Sequence, residues 1–291
     1  MSNFVFYFHD ELDSEVFEQK LLWFKSRYNI ISYQDLIQYL YNGKKLKNSC
    51  LLTVDDGWRS TYEVIFPLIK KHNLPLTIFV SPEVCVREYN FWYDEIKIFD
   101  EHEFLSFLVR KGFFSERIDN YPLEMVLKEL SIKDIYEVIE LFKKENNIEG
   151  KSRGFINIKE LLEMSQSGLV EIGAHTMTHP ILANETEEVS RSEIVSSIEM
   201  LSELINKPIT AFAYPNGLYG VDFGQREINT IKSSGIKAAF SVNPGYINSK
   251  TPPLCIPRIG SLSRLKIPFG VYLPSRMRQE KIRSEIRACK L

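Results

Sequence analysis

Short apolar runs alternate along the chain with segments whose apolar positions recur at helical spacing. The runs at 4–8 and 76–80 are unbroken, which is typical of strands buried on both faces of a sheet. In the helical segments, Ser32 is a suitable N-cap and Gly235 a suitable C-cap. The alternation predicts β-α-β units and a parallel sheet. The predicted strands are 4–8, the run that starts at 51, 76–80, 169–174, 209–214, 237–242 and 255–260, and the predicted helices are 14–28, 32–40, 61–72, 158–166, 187–206 and 226–234.

The region 82–153 interrupts this alternation. It has no strand pattern of its own, and its charged amphipathic segments, notably 124–144, predict a helical insertion rather than a separate domain. It begins with the sequence Phe-Trp-Tyr-Asp at 91–94. These aromatic residues could dock the insertion on the sheet, which is the favoured interpretation, or they could form a platform on which a substrate ring stacks.

Composition limits the class of protein. The chain has 291 residues, of which 44% are hydrophobic, enough for one large core, so we expect a single domain over 1–291. A net charge of -2 gives no sign of a nucleic-acid partner. The four cysteines lack the spacing of a zinc ribbon or of a disulfide framework. The first residues lack the features of a signal peptide, and no run could span a bilayer, so the expected location is cytoplasmic.

The last segment, 264–291, is basic. It contains eight lysine and arginine residues and two glutamates. One interpretation is a peripheral contact with an anionic membrane surface. The favoured alternative is a solvated terminal helix that pairs with acidic helices packed on the sheet.

Two stretches contain the candidate chemistry. An apolar run ends at the adjacent carboxylates Asp55 and Asp56, and a second apolar run ends at His175 and His179. Two neighbouring carboxylates at the end of a buried strand repel each other and lose hydration, so they need a cation or hydrogen-bond donors nearby. Two imidazoles and a carboxylate, with positions left open for water, form a typical catalytic metal site.

Four motifs carry a family resemblance. The sequence Val-Asp-Asp-Gly at 54–57 is followed by His-Thr-Met-Thr-His at 175–179, by Phe-Ala-Tyr-Pro-Asn-Gly at 212–217 and by Ile-Pro-Arg-Ile at 256–259. In this order they resemble the polysaccharide deacetylases with a NodB homology domain, carbohydrate esterase family 4, over about 3–262. The resemblance implies a distorted (β/α) barrel of about seven parallel strands.

The resemblance also implies roles for individual residues. Asp56, His175 and His179 would hold a divalent ion, and Asp55 would be the base that activates water. The ion would be zinc, with cobalt, nickel and manganese as alternatives. The backbone N–H of Tyr214 would donate a hydrogen bond to the oxyanion.

The chain departs from the family pattern in two places. The third motif lacks the usual arginine that orients the base, and we predict that Arg258 replaces it by a bidentate contact with Asp55. No histidine follows His179 to serve as the general acid. We therefore predict that His9, which follows the first strand, protonates the leaving amine; a water molecule is the alternative, and a slow or inactive protein is another.

These observations predict a metal-dependent N-deacetylase that acts on an N-acetylated sugar. Without an export signal, the expected substrate is a lipid-linked or nucleotide-linked intermediate of surface polysaccharide synthesis. The alternatives are an amidase for a non-sugar C–N bond and a carbohydrate-binding protein that has lost turnover.

Overall fold

The structure is a computed structural model that describes residues 3–87, 90–115, 118–260 and 272–290. Its centre is a nearly closed barrel of parallel strands in the order β7, β6, β5, β4, β3, β1 and β8, while β2 pairs with the first half of β3. The barrel predicted from the sequence is therefore confirmed. The strands are β1 Phe4–Phe8, β2 Asn29–Ile31, β3 Ser49–Val54, β4 Leu76–Val80, β5 Val170–Ala174, β6 Ala211–Ala213, β7 Ala238–Phe240 and β8 Arg258–Gly260.

Each predicted run forms a strand, but the later strands are shorter than their runs and β2 was not predicted. The ring of strands closes through backbone hydrogen bonds of Ile256. Its N–H donates to Ala239 (2.8 Å) and its carbonyl accepts from Ser241 (2.9 Å), while β8 pairs with β1. One short segment thus joins the two edges of the sheet.

Helices cover the outside of the barrel. Several begin at side chains that accept backbone N–H bonds, and Ser32 and Asn157 each start a reciprocal capping box. The helices are α1 Ser14–Arg27, α2 Tyr33–Asn42, α3 Phe66–His72, α4 Pro82–Val86, α5 Trp92–Glu95, α6 Glu101–Arg110, α7 Leu123–Leu127, α8 Ile132–Asn146, α9 Ile158–Gln166, α10 Glu187–Ile205, α11 Gln225–Ser233 and α12 Tyr272–Arg287. In the part of the chain described, no helix is both long and apolar enough to cross a membrane.

The helix predicted over 61–72 has two parts. Thr61–Ile65 is a π-helical turn, and α3 follows it with Pro67 in its first turn. Proline has no N–H to donate and is accepted at the start of an α-helix, so the chain changes its hydrogen-bond pattern just before Pro67.

The barrel interior is filled by side chains. Phe79 and Phe240 pack with ring centroids 5.2 Å apart, in a cluster with small residues of β6 and β7. Gly173 makes room for them, since a Cβ atom there would lie 2.6 Å from the Phe79 ring. The interior is therefore solid, and a substrate can bind only at the ends of the strands.

Between β4 and β5 the described residues form helices α4 to α9. Helices α5 to α8 enclose a second apolar cluster, and Ile286 and Cys289 at the end of the chain also belong to it. Phe91 and Trp92 are fully buried, which favours the docking interpretation for these two rings. Tyr93 packs against this cluster and against the barrel cluster.

The basic segment lies partly outside the described residues, which omit 261–271 and 291. Within the described part, Arg283 is buried and pairs with Glu129 after α7 and with Asp222 after β6. Arg287 also pairs with Glu129, and Lys290 donates to the Glu129 carbonyl (3.1 Å). The pairing predicted for this helix therefore exists, but it involves a buried arginine and the insertion.

Candidate metal centre and active site

One cavity of about 450 Å³ opens at the carboxyl ends of the barrel strands. Asp55 and Asp56 follow β3 and His175 follows β5, while His179 lies four residues further along the same loop. His9 follows β1. Because the carboxyl ends of parallel strands meet at one edge of a barrel, residues distant in sequence face the same cavity.

Three buried side chains could share one ion. Nε2 of His175 and Nε2 of His179 each lie 3.4 Å from Oδ1 of Asp56. The ligand atoms of the three residues all lie within 4.8 Å of one another. The structure thus brings together the three residues predicted as metal ligands.

The protonation states suit metal binding. Nδ1 of His175 donates to the Ala213 carbonyl (2.7 Å), which leaves the lone pair of Nε2 free. Burial lowers the pKa of His179, so its imidazole is neutral at pH 7. Burial alone would raise the pKa of Asp56, but hydrogen bonds with His175 and His179 hold it well below its ordinary value. The group therefore consists of a carboxylate and at least one neutral imidazole.

Trp58 fixes the orientation of Asp56. Its Nε1–H donates to Oδ2 of Asp56 (3.0 Å), so that Oδ1 faces the two histidines. Phe155 stacks on the indole with 4.4 Å between ring centroids. This role of Trp58 was not predicted, although the residue directly follows the Asp-Asp-Gly motif.

Asp55 is held in a different way. Nη1 and Nη2 of Arg258 donate to its two oxygens, both at 2.7 Å. The guanidinium also donates to the Ser241 carbonyl and lies 4.7 Å from the Tyr7 ring centre. Burial would raise the pKa of Asp55, but the charge and hydrogen bonds of Arg258 lower it. The predicted bidentate pair is present, and Asp55 is ionised at neutral pH.

Glu193 of α10 holds the histidine loop. Its carboxylate accepts from the backbone N–H groups of Met177 and Thr178 and from the Thr178 hydroxyl, at 2.7–2.9 Å. No sequence pattern indicates this role, because Glu193 resembles any other acidic residue on a helix.

The backbone around the site is strained. Asp56, Thr176 and His179 have positive φ angles of 74°, 63° and 60°, which are unfavourable for residues other than glycine and most unfavourable for a β-branched residue. Asn216, in the loop after β6, has φ 55°. Asparagine tolerates this conformation better, and the remaining non-glycine residues with positive φ in the described part are all asparagines.

The role predicted for Tyr214 is wrong. Its backbone N–H donates to the Phe240 carbonyl (3.1 Å) between β6 and β7 and cannot reach a substrate. Two residues further, the Asn216 N–H has no hydrogen bond with any described residue, and Asn216 lines the cavity. The buried Nδ2 of Asn216 also has no partner in the described part of the chain. Asn216 is therefore the better candidate for an oxyanion donor.

His9 lies at the exposed rim of the cavity. Its ring packs edge-on against Tyr7, with 5.3 Å between centroids. It is close enough for its charge to affect Asp55 and Asp56. Its role as the general acid stays a prediction.

The residues present fit a divalent ion. The donor set of two imidazole nitrogens and one carboxylate oxygen leaves further coordination positions open. Near it, Nδ1 of His179 and Oη of Tyr93 are buried without a hydrogen-bond partner among the described residues. A buried polar atom without a partner beside a ligand set indicates a site that binds a polar group from outside the chain.

Known proteins have sequences similar to this one. It is 22% identical over 275 residues to the poly-β-1,6-N-acetyl-D-glucosamine N-deacetylase of Staphylococcus aureus, covering 89% of this chain and 73% of the relative. It is 21% identical over 254 residues to the Staphylococcus epidermidis protein of the same name, covering 84% and 65%.

Solved structures share the fold. The Streptococcus pyogenes deacetylase PplD, solved with acetate, aligns with a TM-score of 0.60 at 18% identity over 91% of this chain and 94% of that one. IcaB from Ammonifex degensii aligns with a TM-score of 0.62 at 15% identity over 98% and 97%.

The sequence profile of one family, described as polysaccharide deacetylase, matches residues 42–239. This match spans β3 to β7 and both halves of the Asp56, His175 and His179 group. Because it covers more than half of the chain, the chain belongs to the polysaccharide deacetylase family, as its motifs predicted.

Proposed function

We propose that this protein is a zinc-dependent hydrolase that removes the acetyl group from N-acetylglucosamine units of an oligosaccharide or polysaccharide. One observation carries the proposal: a buried Asp56, His175 and His179 group lies in the same cavity as an ionised aspartate held by Arg258. The names of the staphylococcal relatives support the choice of sugar.

Asp56, His175 and His179 would hold the ion. When bound, it supplies positive charge for the acetyl oxygen and acidifies a water molecule. Asp55 then takes a proton from the attacking water, and Arg258 keeps Asp55 ionised and oriented. The backbone N–H of Asn216 stabilises the negative charge that develops on the acetyl oxygen.

The leaving amine needs a proton, and His9 is our proposed source. It lies at the cavity rim, where it can exchange protons with solvent. We expect His9→Ala to lower turnover by about a hundredfold and to change the alkaline limb of the pH profile. Unchanged turnover and an unchanged profile would assign the proton to water.

The decisive experiment measures acetate release from β-1,6-linked N-acetylglucosamine oligomers. The protein is assayed after chelation and again after addition of zinc, cobalt, nickel or manganese. We expect no release after chelation and recovery with zinc. Full activity in the chelated protein would disprove the metal dependence.

The same assay tests the other substrates. Lipid-linked and nucleotide-linked N-acetyl sugars represent the intracellular intermediates predicted from the sequence, and small cyclic amides represent a non-sugar amidase. Binding of the oligomers without acetate release would indicate a carbohydrate-binding protein.

A further inference from the structure

The insertion contributes Tyr93, Glu124, Met125 and Lys128 to the lining of the cavity. Tyr93 of α5 lines the same cavity as Asp55, Asp56 and the two histidines. The neighbouring rings of Phe91 and Trp92 are fully buried, whereas Tyr93 is only half-buried. Of these three aromatic residues, Tyr93 alone lines the cavity.

The Tyr93 ring is fixed on several sides. Phe91 stacks on it with 5.2 Å between centroids and 23° between planes. Trp92 and His179 meet it edge-on, at 5.5 and 4.9 Å. Because the ring cannot turn freely, its hydroxyl group has a fixed position beside the Asp56, His175 and His179 group.

The Tyr93 hydroxyl is buried and has no hydrogen-bond partner among the described residues. Asp56 offers the nearby acceptor, with Oδ2 already accepting from Trp58 and Oδ1 facing His175 and His179, but the Tyr93 hydroxyl does not reach hydrogen-bond geometry with either oxygen. Buried hydroxyl groups nearly always have partners, so this one calls for a partner outside the chain. An oxygen atom of a substrate bound beside the Asp56, His175 and His179 group would be such a partner.

Tyr93 can act as a donor without losing its proton. A tyrosine hydroxyl ordinarily loses its proton only at about pH 10, so the phenol is neutral at pH 7. A neutral phenol donates one strong hydrogen bond and can hold an oxyanion. No proton is transferred and no bond is broken in this role.

We infer that Tyr93 is a catalytic residue, whose hydroxyl donates a hydrogen bond to the acetyl oxygen of the substrate. The inference rests on the proposed function and adds a second donor in addition to the Asn216 N–H. It also assigns a direct role in the reaction to the insertion, which otherwise packs against the barrel.

Three variants of the full-length, zinc-loaded protein test this inference. Tyr93→Phe removes the hydroxyl and keeps the ring. Tyr62→Phe is the matched control, because it removes a surface hydroxyl that bonds Glu163 (2.6 Å). Trp58→Phe is the reference for loss of a donor that holds Asp56 itself.

Each variant is measured for zinc affinity, for affinity toward acetate and for turnover of the oligomers. For Tyr93→Phe we expect turnover about 10- to 100-fold lower and acetate binding about tenfold weaker, with zinc affinity within about twofold of wild type. For Trp58→Phe we expect zinc affinity about 10- to 100-fold lower. Tyr62→Phe should match wild type in all three.

A Tyr93→Phe variant that loses zinc affinity as Trp58→Phe does would overturn the inference, since Tyr93 would then position Asp56. Wild-type turnover in Tyr93→Phe would overturn it as well. If the wild-type protein released no acetate from any substrate, the proposed function would fail. Zinc-dependent acetate binding would still test Tyr93, and equal binding by wild type and Tyr93→Phe would count against it.

Discussion

The two adjacent aspartates lie in opposite environments. On the arginine side of the cavity, defined by Asp55 and Arg258, a carboxylate meets a guanidinium in a buried bidentate pair, and the charges cancel. On the histidine side, defined by Asp56, His175 and His179, a carboxylate meets imidazoles, at least one of them neutral. The arginine side therefore has no net charge, whereas the histidine side keeps a negative charge that favours the binding of a cation.

This difference shows how one dipeptide can supply two functions. A carboxylate with a permanent partner stays ionised and can accept a proton repeatedly, while a carboxylate that lacks a cationic partner is ready to bind a metal. The positive φ of Asp56 is part of the arrangement, because successive residues of a regular strand point to opposite faces. The turn at Asp56 lets both side chains face the same cavity.

The largest effect is expected from Asp55→Asn. Removing the base should lower turnover by about 10⁴-fold, because general-base catalysis is lost. Zinc content after dialysis should equal that of wild type, since the histidine side is untouched. Loss of zinc from this variant would show that the two sides are not independent.

Asp56→Ala should lower both metal binding and turnover. We expect loss of bound zinc and turnover lower by about 10³-fold, because an ion contributes several kcal/mol to the stabilisation of the transition state. Elemental analysis and acetate release measure the two quantities. Retention of stoichiometric zinc would exclude Asp56 as a necessary ligand.

Arg258→Met should destabilise the fold. It leaves Asp55 buried without its cation, which costs about 3–5 kcal/mol in the free energy of unfolding. The double variant Asp55→Asn with Arg258→Met is the control and should recover part of this loss. Urea unfolding measures both, and equal stability of wild type and Arg258→Met would mean that the pair contributes no net stability.

The smallest effect is expected in the pH dependence of stability, to which His179 and Asp55 contribute over different pH ranges. Because the pKa of His179 is lowered in the folded state, the unfolded chain binds the proton first as the pH falls below about 6.5. Stability of the chelated protein should therefore fall on acidification by at most about 1.4 kcal/mol per pH unit from this residue. Asp55 has a lowered pKa too, but its contribution is lost only below about pH 4.

Urea unfolding of the chelated protein between pH 7 and pH 5 measures this slope. His179→Gln should show a flatter profile over the same interval. An identical slope in both proteins would assign the dependence to other groups.

Much of the site could be predicted because the family motifs follow strands. Asp56, His175 and His179 belong to motifs with fixed spacing, and β3 and β5 bring them to one edge of the barrel. Arg258 could be predicted from its charge and from the missing arginine of the third motif. In these cases, sequence position and strand order were sufficient.

The remaining residues depend on geometry that the sequence does not show. Tyr214 seemed free to donate, but the pairing of β6 with β7 uses its N–H. The hydrogen bond from Trp58 and the position of Tyr93 depend on how the insertion packs against the barrel. Likewise, the contact of Arg283 with Glu129 joins residues 154 positions apart. Contacts between distant elements of this kind leave no local pattern.

The buried Arg283 has a consequence for synthesis of the protein. Its guanidinium contributes to the wall of the cavity and is the cation that faces both Glu129 and Asp222. On the ribosome, a nascent chain that has not yet reached α12 must keep these two acids hydrated or neutral, so that part of the wall cannot form. Completion of the cavity therefore waits until residue 283 has left the exit tunnel, after the last barrel strand, β8, has been made.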